Sequence, residues 1–204
     1  MKIFCFGASN GLHNKNQGLP LYNEGAPVVF LKPDSALLKD GKPFFVPDWM
    51  GHIDCQAHLA VRICRLGKAI PERFAHRYYD AVTVGLDFTA ADLLRQAQAD
   101  GRPWTMAKSI DASAVIGEWV ATDSEWLATD SAAVTLDGTP KGSLPLVDCL
   151  LAANREIALL SKTVTMKTGD IIFTGPLYAP VEAAMGSLFE GFIGTERVLT
   201  CRCK

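Results

Sequence analysis

The segment that constrains this chain most is the run IDCQAHLAVRI, from Ile53 to Ile63. Its odd positions are apolar throughout: Ile53, Cys55, Ala57, Leu59, Val61 and Ile63. Most of its even positions are polar: Asp54, Gln56, His58 and Arg62. A period of two is the pattern of a β-strand with one face in a core. It puts Gln56 and His58 on the other face, roughly 7 Å apart as successive same-face residues. An amide beside an imidazole there reads as a solvated sheet surface or as the floor of a site.

Residues 81–88 alternate again, with Val82, Val84, Leu86 and Phe88 on one face and Thr83, Gly85 and Asp87 on the other. Next, Thr89-Ala90-Ala91-Asp92 resembles a capping box, with an acidic residue three after the Thr. That predicts a short helix over DLLRQAQAD, stopped at Gly101 with Pro103 beyond, and it places Asp87 at a strand-to-helix junction. Leu146, Leu150, Ala153, Ile157 and Leu160 follow steps of four and three, the stripe of one long amphipathic helix.

Apolar runs at 28–31 and 44–46, punctuated by Pro27, Pro33, Pro43 and Pro47, predict short strands. Gly169-Asp170 predicts a turn into the strand IIFTG, and VLTCRC a closing strand. Residues 10–24 are polar and glycine-broken, and read as a long loop or lid. The start, MKIFCFGASN, has too short an apolar stretch for a secretory signal and reads as a first strand. The whole is α+β with β predominant, one domain over residues 1–204.

Charge excludes some functions. Twenty basic against twenty-two acidic residues give a net charge of −2, with no basic excess for nucleic acid or an anionic membrane. No stretch approaches the ~20 apolar residues that span a bilayer. The six cysteines, Cys5, Cys55, Cys64, Cys149, Cys201 and Cys203, are scattered, which suits free thiols in a reducing cytoplasm. Cys201-x-Cys203 reads as a soft-metal pair or, more simply, as two same-face residues of the last strand. There is no dinucleotide glycine fingerprint, no phosphate-binding loop ending in GK[ST], no G-x-S-x-G elbow and no zinc-finger spacing.

What remains is polar residues on separated segments. His13 is in the N-terminal loop, Gln56 and His58 share a strand face, and Asp87 ends the next strand. Lys108 and Asp111 lie in WTMAKSID. His52 and His76 read as loop or helix-surface residues.

In this arrangement the chain resembles the fumarylacetoacetate hydrolase family in its small, single-domain form. GASNGLHNKN aligns Gly7 and His13 with the family's G-x-N-Y-x-x-H-x-x-E element, and FLKPDSAL at 30–37 matches FLKP-x-SAL. QAHLAVRIC stands in frame with the acidic E-x-E strand, and GLDFTAADLL with G-N-D-x-T-A-R-D-L-Q. WTMAKSID at 104–111 matches W-x-x-A-K-S-x-D, and GDIIFTGPL matches GD-x-I-x-TGTP.

The resemblance implies a mixed β-sandwich roll, paired as a homodimer. It implies Mg²⁺ or Mn²⁺ on two Glu of the E-x-E strand and the Asp of D-x-T, polarising a small 2-oxo acid. It implies a His–Glu pair in the N-terminal loop that activates water. The chemistry implied is C–C hydrolysis of acylpyruvates, decarboxylation of oxaloacetate-like acids, or isomerisation of dienedioates. Carried over, the metal positions are Gln56, His58 and Asp87, and the catalytic ones His13, Asn16 and Lys108. The substrate-binding positions are Lys32, Asp111, Thr174 and Gly175.

Several positions depart from the pattern. Gln56 and His58 stand where two Glu belong, and Asn16 where an acid belongs. Ala91 replaces the Arg of T-A-R-D, Leu94 the following Gln, Pro176 a Thr and Asn10 a Tyr. One carboxylate, one amide and one imidazole suit Zn²⁺, Fe²⁺ or Mn²⁺ better than Mg²⁺. The simpler reading is that no metal binds, and that Gln56 and His58 hydrogen-bond across the cavity. Three readings stand: a shifted enzyme on a small oxo acid, a non-catalytic binder of a small carboxylate, or an interaction partner of an active homologue. For Thr89 and Asp92 a helix cap is explanation enough, and for Trp104 packing. Lys108 is the better functional candidate, because the resemblance implies a Lys near the metal and the substrate carboxylate; the plainer alternative for it is a surface ion pair with Asp111.

Overall fold

The first alternating run forms one continuous strand, β4 (Ile53–Ile63), and the second its antiparallel partner, β5 (Tyr79–Ala90). The computed structural model describes residues 1–8, 27–39, 41–122 and 129–204. The expected lid at 10–24, with His13 and Asn16, lies outside them.

Eleven further strands complete the described fold: β1 (Ile3–Ala8), β2 (Val28–Lys32), β3 (Leu37–Leu38), β6 (Ala114–Ile116), β7 (Val120–Ala121), β8 (Ser131–Leu136), β9 (Thr139–Pro145), β10 (Ile171–Pro176), β11 (Val181–Glu182), β12 (Leu188–Ile193) and β13 (Glu196–Arg202). The larger sheet runs β2-β1-β10-β4-β5-β6-β3, with β11 on β4 and β7 on β5. It is mixed: β1 pairs parallel with β10 and β3 with β6, and the other pairs are antiparallel. The smaller sheet runs β13-β12-β8-β9. The architecture is the α+β, mostly β arrangement that the sequence predicts.

The helices are α1 (Ala91–Ala99), α2 (Thr105–Lys108) and α3 (Leu146–Thr163). The predicted apolar stripe of α3 buries Leu146, Ala153, Ile157 and Leu160 in the main core, with Leu150 half-buried against it and Cys149 buried beside it. That core also takes the odd-numbered side chains of β4 and, from β5, Tyr79, Val82, Val84, Leu86, Phe88 and Ala90. Where the smaller sheet crosses, Gly191 leaves room for Val84, whose Cγ1 would lie 2.7 Å from an added Cβ. The other face of the larger sheet carries a second apolar cluster that includes Ile3, Cys5, Ala60, Ala114 and Phe173. The larger sheet is therefore covered on both sides, and His58 is fully buried.

Two local expectations are corrected. Thr89 is not a helix cap: β5 continues through it, Ala90 precedes α1, and no side chain caps that end. Asp92 instead accepts a hydrogen bond from the His52 amide at 3.2 Å and pairs with Arg95. The helix does stop as expected, with Asp100 at its C-cap and Gly101 at φ +64°. The run at 44–46 forms no strand: Phe44 makes only an isolated bridge to Cys203, between the prolines at 43 and 47. Cys201 and Cys203 are both buried free thiols.

Candidate functional site

β4 and β5 set the site by their register. Gln56 lies opposite Asp87, His58 opposite Gly85, and Asp54 opposite Thr89. Alternation then brings Gln56, His58, Asp87 and Thr89 to one face. Gly85 is required for close approach, because a Cβ there would meet the Phe173 ring at 2.7 Å. With no side chain in the way, Phe173 lies against the sheet, its centroid 5.6 Å from that of His58.

His58 donates from Nδ1 to the Thr174 carbonyl at 2.6 Å. That bond fixes the tautomer and leaves the Nε2 lone pair buried, with no hydrogen-bond partner among the described residues. Burial lowers the imidazole to about 4, against the partial restoring effect of Asp87 and of the Thr174 bond. At neutral pH the ring is uncharged.

Asp87 is held between two buried lysines. Lys108 Nζ donates to Asp87 Oδ2 at 2.8 Å and to Thr89 Oγ1 at 2.7 Å, and stands 4.2 Å over the Phe30 ring. Lys32 Nζ lies 2.9 Å from Asp87 Oδ1. This second contact is coulombic rather than a directed hydrogen bond. An ammonium has three N–H groups, and Lys32 directs its own to the carbonyls of Phe88 (3.0 Å) and Lys108 (2.6 Å) and to Ser113 Oγ (2.8 Å). Asp87 Oδ1 therefore receives no directed donor. Burial by itself pushes the Asp87 carboxyl up, but Lys108 and Lys32 outweigh it and hold the group well below the usual carboxylate range.

The other expected site residues fall differently. Gln56 is half-buried and reaches the Tyr178 carbonyl at 3.4 Å. Thr174 supplies its carbonyl to His58 and directs its hydroxyl to the Leu59 carbonyl, and Gly175 follows it, buried, in β10. Asp111 is exposed, and the surface ion pair that was the plainer alternative for Lys108 does not form: Lys108 is buried and pairs with Asp87. Lys32 holds β5, α2 and Ser113 together with all its donors. Ser113, Phe30, Phe173 and Cys5 carry no local sequence signal for a site. Each is placed here by residues distant in the chain, and Cys5 lies close enough to feel the charges of Asp87, Lys32 and Lys108. A cavity of about 370 Å³ between β2 and the end of α3, lined by Val29, Leu31, Leu159 and Thr163 among others, shares Phe30 with the site, and none of the charged groups lines it.

The sequence profile described as "Fumarylacetoacetate (FAA) hydrolase C-terminal" matches residues 2–190. The chain belongs to the fumarylacetoacetate hydrolase family. Among its relatives, a mitochondrial oxaloacetate tautomerase of Arabidopsis thaliana is 31% identical over 178 residues, 85% of this chain and 78% of that protein. The oxaloacetate tautomerase YcgM of Escherichia coli is 27% identical over 206 residues, 97% of this chain and 92% of that one. The solved fumarylpyruvate hydrolase of Pseudomonas aeruginosa, in complex with Mn²⁺ and pyruvate, has a TM-score of 0.88 at 24% identity, covering 100% of this chain and 89% of that chain. That likeness shows the family's fold.

The family's implied divalent cation can be tested against the residues present. In its favour, a metal-bound imidazole characteristically donates its other N–H to a carbonyl, as His58 does. Charge points the other way. Asp87 is the one carboxylate of the three positions, and both its oxygens face ammonium groups. Among the described residues, two ammonium groups against one carboxylate leave one positive charge in excess. That excess repels a dication, and the repulsion is strong where water is excluded. Hard cations need oxygen ligands and negative charge. Among the described residues, no three His, Cys, Asp or Glu gather closely enough to hold a metal. The residues present do not fit a divalent cation.

Proposed function

We propose that the protein binds a small 2-oxo acid, of the oxaloacetate or acylpyruvate kind, at this cluster and interconverts its keto and enol forms. One observation carries the reading: Lys108, with two of its three N–H groups committed, shares the cluster with a buried acceptor that has no hydrogen-bond partner among the described residues, His58 Nε2. A carboxylate or developing enolate oxygen suits the remaining Lys108 donor, and a ligand hydroxyl suits the imidazole. Enolisation needs only a proton moved from C3 to a base, with the electron pair entering the C2–C3 bond. Neutral His58 Nε2 takes that proton, Lys108 balances the enolate charge, and the imidazolium returns the proton to oxygen. No water need be activated and no C–C bond broken. The names of the oxaloacetate tautomerase relatives support this choice.

The reading takes residues 1–204 as one cytoplasmic domain with 10–24 as its lid, acting as a homodimer. The test follows the ultraviolet absorbance of enol-oxaloacetate. The protein should speed its decay, and Lys108→Met should slow the catalysed rate by about 100-fold or more. A rate no faster than buffer would sink the proposal. A second reading, binding without turnover, draws support from the imidazole's low value of about 4, which makes it a weak base. Its mark is a ligand-induced rise in melting temperature with no rate enhancement.

A further inference from the structure

Lys32 and Lys108 are both buried, at 1% and 5% exposure, yet among the described residues they share a single carboxylate, Asp87. Burying an ammonium without compensation is costly, so an excess buried positive charge calls for an anion. Lys32 has no donor left for one, since its N–H groups end on Phe88, Lys108 and Ser113. Among the described residues Lys108 hydrogen-bonds Asp87 Oδ2 and Thr89 Oγ1, and its ammonium otherwise stands 4.2 Å over the Phe30 ring, so one N–H is directed at no oxygen or nitrogen. Beside it, the side chain of His58 is fixed by the Thr174 carbonyl and presents only a lone pair. A carboxylate carrying a neighbouring hydroxyl complements this set: negative charge for Lys108, an O–H for Nε2.

We propose that this site is metal-independent: it receives the ligand carboxylate directly on Lys108, accepts the ligand's hydroxyl or enol O–H at His58 Nε2, and takes no divalent cation. The choice of ligand rests on the preceding functional reading; the exclusion of metal does not. Gln56 and His58 are both uncharged. Lys32, Lys108 and Asp87 therefore set the charge that an entering ligand meets.

Two measurements on the whole chain test this. In calorimetric titration of chelator-treated protein, Mn²⁺ should show no saturable uptake in the millimolar range. The Gln56→Glu/His58→Glu variant, which restores negative charge, should take up one Mn²⁺. If that variant does not fold, the titration of the unaltered protein still decides. Stoichiometric Mn²⁺ on the unaltered protein, lost in Asp87→Asn, overturns the proposal. In the second measurement tartronate and malonate are added in the presence of EDTA. Both should raise the melting temperature, and tartronate, which has the hydroxyl, should bind about tenfold tighter. His58→Phe should remove that difference and keep malonate binding. A stabilisation that appears only with Mn²⁺, or none under either condition, overturns the proposal. Metal-free tartronate binding without oxaloacetate turnover would leave the anion site standing and remove the enolisation reading.

Discussion

On one face of the β4–β5 pair, Cys55, Ala57, Leu59 and Val61 pack with Val82, Val84, Leu86 and Phe88 in a hydrocarbon core. On the other, one residue along each strand, Gln56 and His58 stand with Asp87 and Thr89 beneath two lysines. Both faces are buried, and the physics of each is different. The apolar face gains from area removed from water and tolerates any side chains of suitable volume. The polar face depends on paired charges and directed bonds, so removing one group leaves its partners buried and unsatisfied.

That difference can be broken most strongly at Asp87. Asp87→Ala leaves Lys32 and Lys108 buried together with no counter-charge, and urea unfolding should show a loss of about 3–5 kcal/mol. A loss below about 1 kcal/mol would show that the lysines reach water or another anion, and that the two faces differ less than their burial implies.

Acid should separate the faces next. Burial lowers His58 from 6.5 to about 4 in the folded chain. Between those values the unfolded chain binds a proton that the folded chain does not, so stability is retained above pH 6.5 and falls as pH drops towards 4, by up to roughly 3 kcal/mol. Asp87 acts in the same direction at lower pH, because its folded carboxyl is also depressed. His58→Gln should flatten the decline between pH 6.5 and 4. Leu59→Ala, on the apolar face, should lower the whole curve by about 3 kcal/mol without changing its slope. Parallel curves for both variants would assign the acid sensitivity elsewhere.

A smaller effect belongs to Gly85, which sits on the polar face yet acts through packing. Gly85→Ala forces the Phe173 ring away and should cost about 1–3 kcal/mol, with His58 perturbed through its ring neighbour. An unaltered His58 imidazole resonance in nuclear magnetic resonance would separate that packing from the site. The smallest change is expected at the rim, where Arg62 and Asp80 pair at 3.0 Å in solvent. Asp80→Asn should shift stability by less than about 1 kcal/mol, and less still in high salt.

The strand period of 53–63 and 81–88, the stripe of α3 and the turn at Gly169 were legible because each is a local repeat or a local backbone preference. The same local logic misread Thr89. A Thr followed three residues on by an Asp satisfies the capping pattern, yet Lys108 takes the Thr89 hydroxyl and β5 runs through the position. Lys108 was picked out by its place in WTMAKSID, and the one partner the local sequence offered it, as the plainer alternative, was nearby Asp111. In the fold that partner is Asp87, 21 residues away. Lys32 to Phe88 spans 56 residues and His58 to Thr174 spans 116. No window along the chain contains such pairs.

The sequence by itself determined which residues share a face, since a strand's side chains must alternate, and it placed the chain in its family through motifs spread along its length. It also determined that two carboxylates are missing from the positions the resemblance assigns to metal. Only the tertiary structure decided what that loss means. It brought Lys32 and Lys108 onto the one remaining carboxylate, fixed the His58 tautomer and excluded water from all four groups. Charge balance is a property of groups gathered in space, and the strength of a charge depends on the water around it, so neither can be read along the chain.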